Sequence, residues 1–276
     1  MEQKIEKKKF TILGIDLWEI LAYFIIYSIA GFFIETMFAL VRYGVLESRQ
    51  SFLYGPFCGI YGVGAVFMYV ILNRYFKKNN HLLFLGGFIV GSCVEYILSF
   101  LGEVILNVRW WDYSNRFLNI NGRICFLYSL FWGLLGVYFM KVINPKVDKL
   151  INFIKKKVNM KLIKTIVIIL FVFLLVDCAI SGLAIEYYLV RQTVQNDLDV
   201  PNKDVIVKEY DKIYSNDSRA KIINKFFNDE KMVITYPNLT ITLKDGTVKR
   251  VREYLPDIKP YYFKFNVKHI NNETEN

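Results

Sequence analysis

Residues 163–190 read IKTIVIILFVFLLVDCAISGLAIEYYLV, and only Lys164, Asp177 and Glu186 are charged. The run has no polar face wide enough for a soluble helix. It exceeds the roughly 20 apolar residues that carry a helix across a hydrocarbon core about 30 Å thick. Four further stretches upstream qualify in the same way: Leu17–Val41, Phe52–Leu72, Leu82–Leu106 and Ile124–Ile143. Together they predict an all-α membrane helical bundle of about five transmembrane helices. Hydrophobic residues make up 54% of the 276 positions, above the ~45–50% usual in soluble domains. Aromatics reach 17%. A purely soluble enzyme and a disordered chain are both excluded.

The first run is a retained span rather than a signal peptide. It is too long, Glu35 interrupts it, and no A-x-A-like cleavage site follows. The second contains Gly55, Pro56, Gly59, Gly62 and Gly64, so a kink or a re-entrant first half is expected there. Orientation follows from the loops, because cytoplasmic flanks collect Lys and Arg. With the N-terminus inside, the inner segments hold 15 basic residues, among them Lys4, Lys7, Lys8, Lys9, Arg74, Lys77 and Lys78. The outer loops hold five: Arg42, Arg49, Arg109, Arg116 and Arg123. The expected site of action is therefore the plasma membrane, crossed several times, with the tail outside. Most of the net charge of +10 reflects topology and attraction to anionic lipid, not nucleic-acid binding.

Four regions are expected. Residues 1–16 form a basic cytoplasmic N-terminus, and 17–145 a four-span membrane domain. Residues 146–190 form a basic linker and the fifth span, and 191–276 a small α+β tail. In the linker, Val147, Leu150, Ile151, Ile154, Val158 and Leu162 recur at helical spacing among lysines. This reads as an amphipathic helix on the inner leaflet, an anchor to anionic lipid rather than a docking element. In the tail, Ile206, Tyr210, Ile213 and Tyr214 have helical spacing. Asp217 or Ser218 is placed to cap a second helix through Phe227. Leu239, Ile241 and Leu243 alternate with threonines, and Asp245-Gly246 turns into Thr247–Tyr254, a hairpin. Phe263, Phe265 and Val267 suggest a third strand.

Cys58, Cys93, Cys125 and Cys178 all fall within spans, with no C-x-x-C pair, so neither a disulfide framework nor a zinc site is expected. His81 and His269 stand far apart, no phosphate loop or nucleophile-elbow motif is present, and no cofactor or metal is expected. The informative residues are the intramembrane carboxylates Glu35, Glu95, Glu103, Asp177 and Glu186. An acid at a helix centre costs about 2.5–3.5 kcal/mol on insertion scales. Ser92, Glu95, Ser99 and Glu103 share one face of the third helix. Ser28, Gly31, Glu35 and Arg42 share one on the first, and Asp177 and Ser181 on the fifth. Such stripes face the bundle interior, and the three together are read as lining a cavity. Gly55, Gly59, Gly87 and Gly91 are read as sites of close helix packing.

Several spaced motifs in one order carry a resemblance. They are Tyr27 through Glu35, Phe52-Leu53-Tyr54-Gly55-Pro56-Phe57-Cys58 with Ile60-Tyr61-Gly62, and Glu95-Tyr96. Trp110-Trp111-Asp112-Tyr113, Asn121-Gly122-Arg123-Ile124-Cys125 and Phe131-Trp132-Gly133-Leu134-Leu135-Gly136 follow. Over Leu21–Pro145 the chain resembles the bacterial membrane family called "putative ABC-transporter type IV", or CmpB-like permeases. Gly59 departs from the pattern, standing where a second Pro is expected. The resemblance implies a permease and a separate ATPase subunit as partner, for which only the basic linker offers a cytoplasmic surface. The residues themselves suggest a transporter with a polar, carboxylate-lined cavity toward the outer face. Its expected substrate- or ion-binding residues are Glu35, Tyr54, Glu95, Glu103, Arg109, Asp112, Arg123 and Asp177. Arg123 is expected near Glu35 or Glu95, with Tyr54 close by. The competing readings are an integral-membrane enzyme acting on a lipid or lipid-linked substrate, and a sensor or assembly protein using the tail as binding module.

Overall fold

The computed structural model describes residues 11–106 and 111–264. The expectations for Lys4–Lys9, Arg109, Trp110, Phe265 and Val267 lie outside them. A short hairpin, β1 (Thr11–Ile12) with β2 (Ile15–Asp16), leads into α1 (Leu17–Tyr43). Then come β3 (Val45–Leu46), α2 (Gly59–Ile71), α3 (Asn80–Leu106), α4 (Phe126–Tyr138), α5 (Asn144–Lys157) and α6 (Met160–Gln195). Single π-helical turns, Leu72–Phe76 and Phe139–Ile143, extend α2 and join α4 to α5. Among the described residues five helical stretches are long and apolar enough to cross a membrane, and the protein is a membrane helical bundle with small strand content toward the C-terminus.

Helix ends follow local chemistry. Gly44, at φ +66°, closes α1 by donating its amide to the Leu40 carbonyl at 3.0 Å, the left-handed cap that glycine adopts without steric cost. Asn79 opens α3 by accepting the Leu82 amide at 2.8 Å, and Asn159 opens α6 by accepting that of Lys161 at 2.8 Å. The expected second span divides. Residues 51–58 are not helical, and Gly55 takes φ +81°. The linker does not begin a separate helix: α4, the π turn and α5 run without a break to Lys157.

Cα packing divides the chain into two compact units, each of discontinuous stretches. In the first (residues 1–28, 61–96 and 113–174), α3 and α4 meet through glycines. A Cβ on Gly87 would sit 2.7 Å from the Trp132 carbonyl oxygen, and one on Gly136 would sit 2.8 Å from the Gly87 Cα. Small residues let two membrane helices touch backbone to backbone. The polar side of α5 docks on α1. Tyr23 donates to Asp148, Tyr27 donates to Asn144 at 3.0 Å, and Lys155 pairs with Glu19 at 2.5 Å.

The second unit (residues 29–60, 97–112 and 175–276) contains the tail. The tail is built from α7 (Lys203–Tyr214), α8 (Asp217–Phe226), α9 (Asp229–Thr235) and the hairpin β4 (Thr240–Thr242)–β5 (Val248–Arg250). Asn216 rather than Asp217 or Ser218 caps α8, accepting the Arg219 amide at 3.0 Å. The third strand, β6 (Phe263–Lys264), leaves the hairpin and pairs antiparallel with β3 instead. Leu53, Ala184, Ile185, Tyr188, Val200, Met232, Leu239 and Val251 form one buried core. The tail thus folds around the end of α6 and onto the segment that follows α1.

Candidate functional site

Glu95 is the best-defined polar centre of the first unit. It is 8% exposed and stands on α3 with Ser92 and Ser99, both buried, as the stripe of serines and acids implies. Its Oε1 accepts from the Tyr113 hydroxyl at 3.0 Å, and its Oε2 from the Trp132 indole at 2.8 Å. The Tyr113 ring stacks on Tyr128 with centroids 4.6 Å apart. Burial, with the Glu95 carboxylate beside it, pushes the Tyr113 phenol above the ordinary tyrosine range, so it remains a donor at neutral pH.

The loop that supplies Tyr113 is held together by its own hydrogen bonds. Tyr113 donates its amide to the Gly122 carbonyl at 2.8 Å. Asn119 gathers the Ser114 and Arg116 carbonyls and the Gly122 amide, all within 3.1 Å. Asn121, at φ +54°, donates to the Tyr96 hydroxyl at 2.8 Å, and the Arg123 guanidinium lies 5.8 Å from the Tyr96 ring centroid. Ser92 donates to Ser129 at 2.7 Å. These serines line a small cleft of about 140 Å³ with Phe88, Leu118, Ile120, Ile124, Cys125 and Phe126. A cleft of this size lies below the ~300 Å³ at which small-molecule sites begin.

The second unit holds the other buried acid. Asp177 is 1% exposed and accepts the Tyr54 amide on Oδ2 at 3.1 Å and the Ser181 hydroxyl on Oδ1 at 3.3 Å. Ser181 in turn accepts the Leu53 amide at 2.7 Å. A non-helical stretch leaves buried backbone amides without helical partners, and Asp177 and Ser181 accept from two of them. The Tyr54 ring lies beneath the Lys231 ammonium, 4.4 Å from its centroid, and its hydroxyl is 3.4 Å from Nζ. Glu35 and Glu103 are half-buried and Asp112 exposed in this same unit. Arg123 belongs with Glu95 in the first unit. Arg109 lies outside the described residues.

The structure thus ties Glu95 to Tyr113 and Trp132, and Asp177 to the Tyr54 backbone. Tyr113, Trp132 and Lys231 were not among the expected site residues. Tyr113 and Trp132 stand in the motif runs that carry the family resemblance, a signal that could have found them. Lys231 carries no sequence signal, being one of the 15 basic residues of the tail. Asp148 was hidden by the lysine-rich pattern around it. Among the described residues no cluster of three or more His, Cys, Asp or Glu side chains is placed to hold a metal ion.

Residues 22–182 match the family described as "Putative ABC-transporter type IV". The matched stretch is more than half of the chain, and the chain belongs to this family. The match extends beyond the motif-bearing Leu21–Pro145 to take in the fifth helix as far as residue 182, so that it includes Tyr54, Glu95, Trp132 and Asp177 and leaves out the tail. No curated protein and no solved structure matches the chain.

Proposed function

We propose that this family member is the membrane-spanning permease subunit of a transport system in a bacterial plasma membrane. The observation that carries the reading is Glu95. A carboxylate buried in a membrane-spanning helix is costly to insert, and such groups mark substrate and ion pathways. Here two neutral donors from different elements fix both of its oxygens, so it is oriented rather than merely tolerated. In this reading Glu95 is the central binding group, open to protonation as part of ion coupling. Tyr113 and Trp132 orient it, and Arg123 at the loop draws an anionic group toward it. The binding cavity opens toward the outer face when the Tyr113–Cys125 loop shifts, and the small cleft lined by Ser92 and Ser129 is its closed form. Glu35, Glu103, Arg109, Asp112 and, by way of Asp177, Tyr54 are further candidates for the pathway.

The family's designation supports an ATPase partner. The exposed side of α5 carries Lys146, Lys149, Lys156 and Lys157 with Leu150 and Phe153. That face suits the anionic inner leaflet, where each Lys near the surface contributes about 1 kcal/mol.

The test compares metabolite and lipid content in cells lacking the gene, complemented by the parent or by Glu95→Gln. The expected result is a solute imbalance that the parent corrects and Glu95→Gln does not, although both reach the membrane in equal amounts. Full correction by Glu95→Gln would reduce Glu95 to a packing element and remove the basis of the reading.

A further inference from the structure

The Ser51–Cys58 segment is held from two sides. Its internal backbone bonds are few: the Ser51 amide donates to the Phe57 carbonyl at 2.8 Å, and the Phe57 amide to the Gly55 carbonyl at 3.0 Å. The membrane helix α6 binds it through Asp177 and Ser181, which take the Tyr54 and Leu53 amides. The tail binds it from the other direction. Lys231 of α9 covers the Tyr54 ring, and Leu53 is part of the tail's buried core, 3% exposed. Just before the segment, Glu47 is 3% exposed and pairs with Arg252 at 3.0 Å and with Arg49 at 2.6 Å. β6 of the tail pairs with β3 at Val45–Leu46, and Tyr262 donates its amide to the Leu46 carbonyl at 2.8 Å. The tail's own attachment is firm. Arg191, 3% exposed near the end of α6, donates to Asp229 at 2.6 Å and to the Phe227 carbonyl at 2.7 Å.

We infer that the tail is a built-in latch that keeps the Ser51–Cys58 segment seated on Asp177 and Ser181. The segment lies inside the stretch that matches the family, and the tail lies outside it. The charge of Lys231 and the face of Tyr54 form the releasable part, because this cation–π contact lies at the half-exposed rim while Leu53 is fixed below. With the contact broken, the amides of residues 53 and 54 keep only their two side-chain acceptors, and the segment opens locally more often. The inference does not depend on what the protein transports.

Hydrogen exchange on the full chain reconstituted in phospholipid nanodiscs tests it. Lys231→Ala should raise exchange across residues 51–58 by about tenfold, the scale of losing one partly desolvated cation–π contact. Peptides from α3 and from Met232–Thr235 should stay as protected as in the parent, and Lys231→Arg should restore the slow rate. Tyr54→Leu, which leaves the tail untouched, should loosen the same residues. Unchanged exchange at 51–58 in both variants would overturn the latch. Faster exchange spreading through the tail core in Lys231→Ala would overturn it too, since Lys231 would then serve the tail's own fold.

Discussion

At Glu95 two oxygens meet two donors, and each partner makes a separate demand. Tyr113→Phe removes one donor and leaves a buried carboxylate oxygen short of a partner, a loss of about 1–3 kcal/mol. Thermal unfolding in detergent should show it as a lowered midpoint with membrane insertion intact. Tyr113 also has a pH signature. Its phenol is held above the ordinary range in the fold, while in the unfolded chain it ionises near pH ~10. Its contribution is therefore complete below about pH 10 and falls as pH rises beyond it, because only the unfolded state gains by losing the proton. The parent should lose stability above that pH more steeply than Tyr113→Phe, and equal slopes would remove Tyr113 from the account. The glycines make a contrasting pair. A Cβ at Gly136 meets the Gly87 backbone, whereas one at Gly64 meets nothing within 4 Å. Gly136→Leu should cost several-fold in folded yield while Gly64→Ala leaves it unchanged, measured by fluorescence-detected size exclusion. Of these features, sequence alone reveals the acid and its serine stripe through helical spacing. It does not reveal the donors, because Tyr113 comes from a loop whose path is set by Asn119 and the positive φ of Leu118 and Asn121.

At the scale of elements, the five apolar runs were legible because each exceeds the membrane thickness with no competing pattern. Their ends were less so. The second run loses its first seven residues to an irregular segment, since Gly55 and Pro56 free the backbone and Asp177 and Ser181 supply the missing partners. The linker's lysines suggested a helix lying apart. In the structure Asp148, Asn144 and Lys155 meet Tyr23, Tyr27 and Glu19 of α1, contacts that no single-element periodicity contains. The junction of α6 with the tail carries its own prediction. Arg191 is the buried partner of Asp229, which keeps about 29% of its side-chain surface exposed. Removing one partner of a buried, hydrogen-bonded pair costs about 3–5 kcal/mol, and the partial exposure of Asp229 places this pair toward the lower figure. Arg191→Ala should therefore make the tail sensitive to protease at concentrations that leave the parent intact, while the five spans still insert. Arg191→Lys should rescue only in part, because an ammonium cannot reproduce the forked donation to Asp229 and the Phe227 carbonyl.

Across the whole molecule, the sidedness we propose draws on two lines. The first is charge: 15 basic residues on one set of flanks against five on the other predict a cytoplasmic N-terminus. The second is strand pairing. β3 follows the far end of α1, and it pairs with β6 of the tail. Four further membrane-length helices separate those strands, and an even number of crossings returns the chain to the same side. Were α6 to end within the membrane or lie along it, β6 would emerge opposite β3 and the pair could not form. With all four crossing, the tail shares a compartment with Val45, and the charge count predicts that this compartment is the outside. Reporter fusions at residue 200 and between residues 155 and 159 should thus report opposite sides, the first extracytoplasmic and the second cytoplasmic. A cytoplasmic signal at both positions would mean that α6 does not cross, and the pairing of β3 with β6 would fall with it. Opposite signals in the reverse sense would leave the fold intact and overturn only the charge argument, moving the Lys231 latch to the cytoplasmic face.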